Sequence, residues 1–260
     1  MNFLLVILIV IAVLILLFAW IKRQRKRPGP VLVIPGAYKI ILQKDVAFYQ
    51  ALDESKKQEF ETRLMHFLAT TRITGVKTEV EEKDKVYIGA SAIIPIFGFP
   101  GWEYTNLNEV LLYPDSFNHD FEQTGNDRSI LGMVGDGPYN RVMILSRNEL
   151  QQAFINKSSK SNTALHEFVH LVDKTDGSVD GVPEFFTDRK YILPWLQLMR
   201  EEIKKILADR SDINPYGATN EAEFFAVVSE YFFERPDLLQ SKHPELYELL
   251  AQLFHQRPAK

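Results

Sequence analysis

From Phe3 to Ile21 the chain is apolar at 19 successive positions and carries no charge. At the helical rise such a run spans about 28 Å, close to the roughly 30 Å of a bilayer's hydrocarbon core. The pattern predicts a transmembrane helix over 1–21. A cleaved signal peptide is the alternative, but no positive residue precedes the run and no small-x-small site follows Trp20. Arg27-Pro28-Gly29-Pro30 breaks the helix, so 22–44 reads as a basic juxtamembrane segment and linker, and 45–260 as the main domain. From Asp45 to about Thr71, Phe48, Leu52, Phe60, Leu64, Phe67 and Leu68 recur at helical spacing and predict one or two amphipathic helices. Val86 to Phe99 is too uniformly apolar for periodicity to separate a buried helix from strands. Glu109 to Tyr113 and Arg141 to Leu145 are short β-rich runs, the second preceded by the turn-forming Gly135-Asp136-Gly137-Pro138. Helices are predicted near 162–174, 191–209, 220–234 and 237–255, with Pro183, Pro215 and Pro236 between them. A small sheet beside a mainly helical C-terminal half is an α+β layout.

Charge divides the chain at the same place. The first 27 residues hold no acid and five bases, Lys22, Arg23, Arg25, Lys26 and Arg27, which leaves 25 basic against 34 acidic residues in 28–260, a net charge of −9. Positive residues flanking a span stay on the cytoplasmic side. The expectation is a single-pass protein of the inner membrane, held through residues 3–21, with residues 28–260 facing the cytoplasm. The acidity of 28–260 argues against nucleic acid, because phosphate binding wants a basic footprint. Zero cysteines exclude a disulfide framework, a thiol nucleophile and a thiolate metal site.

The chemistry concentrates in His166-Glu167-Phe168-Val169-His170. Ser161, Asn162 and Thr163 offer N-caps, and Ala164, Leu165, Phe168, Val169, Leu171 and Val172 make the segment a helix. Two imidazoles four residues apart share one face, where both can reach one tetrahedral zinc. Glu167, turned by about 100°, is placed to take a proton from attacking water rather than to ligate. The plainer reading is a buried helix with two satisfied histidines.

A catalytic zinc site needs three protein ligands and one open position. With no cysteine, the best third candidate is Glu223 in Asn220-Glu221-Ala222-Glu223-Phe224-Phe225-Ala226. Asn220 with Glu223 also reads as a capping box, a structural job, and Glu221 is a competing ligand on a different face. Glu223 and Glu230 lie seven apart on an apolar face and are costly to bury without a cation or donors. That favours Glu223 as ligand with Glu230 behind it. Asp173 is placed to accept from an imidazole N–H, or else to form the helix C-terminal turn with Lys174, Asp176 and Gly177. Tyr216, on the loop entering the Glu223 helix, could donate to a developing oxyanion.

These motifs, together with Gly181-Val182-Pro183, Tyr216-Gly217-Ala218, Ala222 to Phe233, Gly132 to Gly137 and Met143 to Ser146, resemble the Mlc titration factor A family of zinc-dependent peptidases. The family is a gluzincin group related in its catalytic core to the anthrax lethal factor. The resemblance covers most of 40–240 and implies a zincin-like metallopeptidase fold and one zinc ion on His166, His170 and Glu223. It further implies Glu167 as general base, Tyr216 near the substrate and an aminopeptidase-like hydrolase. The founding member also binds a glucose-responsive repressor, so a regulatory protein partner is a second expectation beside a peptide or protein substrate. This chain departs from thermolysin-type gluzincins in carrying Val227, not an acid, four residues after Glu223; a carboxylate behind the ligands must come from Glu230 or Asp173. The alternative is a membrane-tethered regulatory protein with structural zinc, but such sites are normally closed by four ligands and three are found. Arg141 to Leu145 is the expected sheet edge for a substrate strand.

Overall fold

The computed structural model of the protein describes residues 32–118, 122, 129–135, 140–183 and 188–258. The expected span at 3–21, the basic cluster at 22–27 and positions 136–138 of the expected turn lie outside them. No helix among the described residues is long and apolar enough to cross a membrane.

One compact unit begins at Ile34. Its first helix, α1 (Gly36–Asp45), starts behind Pro35 and takes up the end of the expected linker. Tyr38, Leu42, Val46 and Tyr49 recur at helical spacing and are all buried, so packing holds this stretch in place. A single turn, α2 (Ala47–Gln50), leads to α3 (Glu54–Thr70), whose N-cap Asp53 accepts from the Lys56 N–H at 2.9 Å. The stretch that periodicity leaves undecided is a helix, α4 (Glu82–Ile96), buried on every side from Val86 onward and therefore without a polar face to set a period. Glu81 and Asp84 form a reciprocal capping box at its start. At its end the Arg63 guanidinium donates to the Ile96 and Phe97 carbonyls.

Four short strands make one sheet: β1 (Arg72–Gly75), β2 (Glu109–Tyr113), β3 (Gly132–Val134) and β4 (Val142–Ser146), in the order β1-β2-β4-β3. β1 and β4 both run parallel to β2, with Ile73 and Met143 each opposite Val110, whereas β3 is antiparallel to β4, Met133 opposite Ile144. The run at 141–145 is thus an inner strand, and the edge expected there falls on β3. The cause is pairing at a distance, since β3 is three residues long and carries no alternation of its own.

Six helices follow: α5 (Arg147–Ile155), α6 (Thr163–Asp173), α7 (Arg189–Leu207), α8 (Glu221–Glu234), α9 (Pro236–Lys242) and α10 (Pro244–Leu253). The single helix expected over 237–255 is two, because Pro244 removes an N–H and forces His243 out of helical geometry (φ −134°, ψ 62°). α6 packs against β3, β4, α4 and α8, at the centre of the fold. α8 buries Phe224, Phe225 and Phe232, and Phe225 stacks on Phe254 at 5.7 Å. Each such ring contributes roughly 1.5–3 kcal/mol by burial, which fixes α8 as a rigid support.

Candidate metal centre

α6 begins where the Asn162 side chain accepts from the Leu165 N–H at 3.1 Å, and its buried Leu165, Phe168, Val169 and Val172 anchor it in the core. His166 and His170, one turn apart, project from this helix toward the start of α8. There Asn220 Oδ1 accepts from the Glu223 N–H at 2.9 Å. Only this half of a capping box forms: the Glu223 carboxylate turns toward the histidines. Ala226, one turn after Glu223, is fully buried, and α8 packs against α6.

The donor atoms converge. His166 Nε2 stands 2.9 Å from Glu223 Oε2 and 3.1 Å from His170 Nε2, and His170 Nε2 stands 3.5 Å from Glu223 Oε2. Ligands about 2.0–2.1 Å from a tetrahedral ion are about 3.3 Å from one another, so the observed triangle has the size a metal requires. Among the described residues this is the group of His and acidic side chains that could hold a metal ion. Glu221 is exposed, does not join it, and lies on the cavity rim.

Glu230, two turns along α8, is 6% exposed and fully used: Oε1 shares a hydrogen bond with His166 Nδ1 at 2.7 Å, and Oε2 accepts from the Asn162 N–H at 2.5 Å. Asn162 Nδ2 donates to Glu234 Oε1 at 2.7 Å. Asn162 thus caps α6 and ties it twice to α8, a role its N-cap position alone does not reveal. Burial by itself would lower the His166 pKa, but Glu223 and Glu230 outweigh it and raise it to about 10. Glu223, which burial would raise, is pulled down to about 2 by His166 and His170.

Glu167 is 6% exposed and lies beside edge strand β3. A Cβ on Gly132 would stand 2.8 Å from Thr163 Cγ2 and 2.9 Å from Glu167 Cγ, so only glycine lets the strand lie this close to α6. Burial raises the Glu167 pKa, the two histidines lower it, and the net shift is upward. Tyr216, on the 3₁₀ turn Pro215–Ala218, is half exposed with its ring 6.1 Å from that of His166. Burial and the carboxylates of Glu223 and Glu167 raise its pKa. Asp173 is fully buried but makes no direct hydrogen bond to either imidazole; its Oδ2 accepts from the Gly181 N–H at 2.8 Å. The expected turn after it is present as the 3₁₀ turn Lys174–Asp176, closed by Gly177 at φ 100°.

His166, Glu167, His170, Tyr216 and Glu223 line one cavity of about 570 Å³, walled on one side by Gly132, Met133 and Val134 of β3. The uncharacterized protein slr2042 of Synechocystis sp. is 28% identical to this chain over 238 residues, 86% of each. Mlc titration factor A of Serratia proteamaculans is 30% identical over 168 residues, 58% of this chain and 61% of that one. Mlc titration factor A of Escherichia coli strain 55989 is 26% identical over 223 residues, 80% and 82% of the two chains. Residues 18–255, nearly the whole chain, match the family described as glucose-regulated metallo-peptidase M90, and the chain belongs to that family.

Proposed function

We propose that the protein is a zinc-dependent peptide hydrolase of the aminopeptidase-like, gluzincin type on a zincin-like fold. The observation that carries this reading is the convergence of three neutral or anionic donors, His166, His170 and Glu223, on the wall of a cavity that also holds the buried carboxylate of Glu167. Three ligands leave a fourth position open, as catalysis requires. When bound, zinc polarises a carbonyl and acidifies water. Glu167, its basicity raised by burial, takes a proton from the attacking water and passes it to the leaving amine. The Tyr216 hydroxyl, on a side chain half open to solvent in the cavity wall, donates to the oxyanion. Glu230 holds the ring of His166 through Nδ1. A substrate strand pairs with β3, the sheet edge beside the cavity, in place of the inner strand at 142–146.

Glu167→Gln separates binding from chemistry: the variant should keep one equivalent of zinc and lose peptidase activity. Undiminished hydrolysis would sink the proposal. A second reading is favoured by the relatives whose name marks them as factors titrating Mlc: this chain also binds a regulatory protein, a property that Glu167→Gln should leave intact in a pull-down. The apolar run at 3–21 and the bases after it support an inner-membrane position with the catalytic domain in the cytoplasm. A reporter at Lys260 active only outside the cell would refute that orientation.

A further inference from the structure

The two histidines of α6 are supported unequally. His166 directs Nε2 into the donor triangle and gives Nδ1 to Glu230. His170 directs Nε2 into the same triangle, yet its Nδ1 is buried with no hydrogen-bond partner among the described residues. A metal-bound imidazole almost always donates its other N–H to a carboxylate, a carbonyl or water. Three residues further on, on the same side of the helix, stands a buried acceptor in the same state. Asp173 is 0% exposed; one of its oxygens, Oδ2, accepts from Gly181, and the other, Oδ1, is buried without a partner. The two side chains also act on each other electrostatically.

An unmet donor and an unmet acceptor one turn apart are complementary. We propose that Asp173 is the positioning residue of His170, holding its Nδ1–H through one ordered water as Glu230 holds His166 directly. Both atoms are closed to solvent, and a water held between them would satisfy each. The inference rests on the metal reading above and extends it to the rest of the Asp173 carboxylate. Gly181, which Asp173 Oδ2 holds, is at φ 76° and gives its carbonyl to the Trp195 indole N–H at 2.7 Å. A Cβ at Gly181 would meet the Glu221 carbonyl oxygen at 2.3 Å, so this loop lies flat against the first turn of α8, two residues before Glu223. One carboxylate therefore orients a ligand on α6 and fastens the loop that abuts the ligand on α8.

The test uses the full-length chain labelled with ¹⁵N-histidine. In the zinc-loaded wild type, the His170 Nδ1–H should exchange slowly with solvent. Asp173→Asn keeps an oxygen for the Gly181 N–H but turns an NH₂ toward His170. It should lower zinc affinity about 10–100-fold by chelator competition and release the His170 N–H to fast exchange, while leaving the His166 N–H protected by Glu230. A merely structural role would disturb both imidazole signals together. Fast exchange of the His170 N–H in the zinc-loaded wild type overturns the inference even if the variant fails to fold, and so does an Asp173→Asn protein with unchanged zinc affinity and His170 signal. A wild-type chain that takes up no zinc overturns the metal reading, and this inference with it.

Discussion

Replacing Gly132 by alanine puts a methyl group where α6, the helix of His166 and His170, already stands. The new Cβ would lie 2.8 Å from Thr163 Cγ2 and 2.9 Å from both Cγ and Oε1 of Glu167. Carbon atoms in ordinary contact are about 3.5–4.0 Å apart, so the overlap is roughly 0.6–1.2 Å on two residues at once. Neither can yield cheaply. Thr163 is β-branched with a stiff χ1 at the first position of α6, and Glu167 is buried. Either β3 moves off the helix or the Glu167 side chain turns away. Overpacking of this kind costs about 1–3 kcal/mol, which in a domain of this size lowers Tm by about 2–12 °C. With Glu167 as the general base proposed above, a displacement of about 1 Å costs on the order of 100-fold in rate. The expected result is kcat/KM on a peptide substrate down about 100-fold with zinc affinity within about threefold of wild type, because the atoms nearest the new Cβ belong to Thr163 and Glu167 and not to His166, His170 or Glu223. Adding Thr163→Ser removes one of the colliding methyl groups and should restore part of the Tm but not the activity. A Gly132→Ala protein with Tm within about 1 °C and kcat/KM within about twofold of wild type would refute the reasoning.

Glu230→Ala removes the acceptor of two groups at once, the Asn162 N–H and His166 Nδ1. Each buried group left unmet costs about 1–3 kcal/mol, and zinc affinity should fall about 10–100-fold; denaturation and chelator competition measure the two, and unchanged affinity refutes the assignment. His243, between α9 and α10, lies 3.3 Å from Glu202 Oε2 and donates from Nε2 to Asp212 Oδ1 at 2.7 Å, and the Glu202 carboxylate leads in raising its pKa. A raised folded pKa contributes stability that is fully present below the unfolded value of about 6.5 and is lost as pH rises through the folded value. The Tm difference between wild type and His243→Gln should therefore be largest near pH 6 and shrink as pH rises above about 7; a difference independent of pH rules out the charged histidine.

Much of this was legible without coordinates where the signal is local. The spacing of His166 and His170 and the caps at Asn162 and Asn220 depend on helix geometry within a few residues. The choice of Glu223 over Glu221 rests on helix faces and on the cost of burying Glu223 and Glu230 without a cation, and the structure brings Glu223, not Glu221, to the histidines. α5 has a local signal as well: Ser146-Arg147-Asn148-Glu149 carries its capping pattern, and the Ser146 hydroxyl accepts from the Glu149 N–H. α4 was ambiguous because a helix buried all round has lost the polar face that marks its period.

The sequence by itself pointed to the donor types, because two histidines stand one turn apart, cysteine is absent and no third histidine follows at metzincin spacing, which leaves a carboxylate as the third candidate. It also determined the helices that carry them, because their periodicity is written in adjacent residues. Only the tertiary structure decided that β3 rather than β4 is the sheet edge beside the cavity, that Glu230 reaches His166 while Asp173 reaches Gly181, and that Gly132 is the contact with Glu167. Each of those pairs residues remote in sequence or sets which way a side chain turns, and that is settled when strands and helices pack.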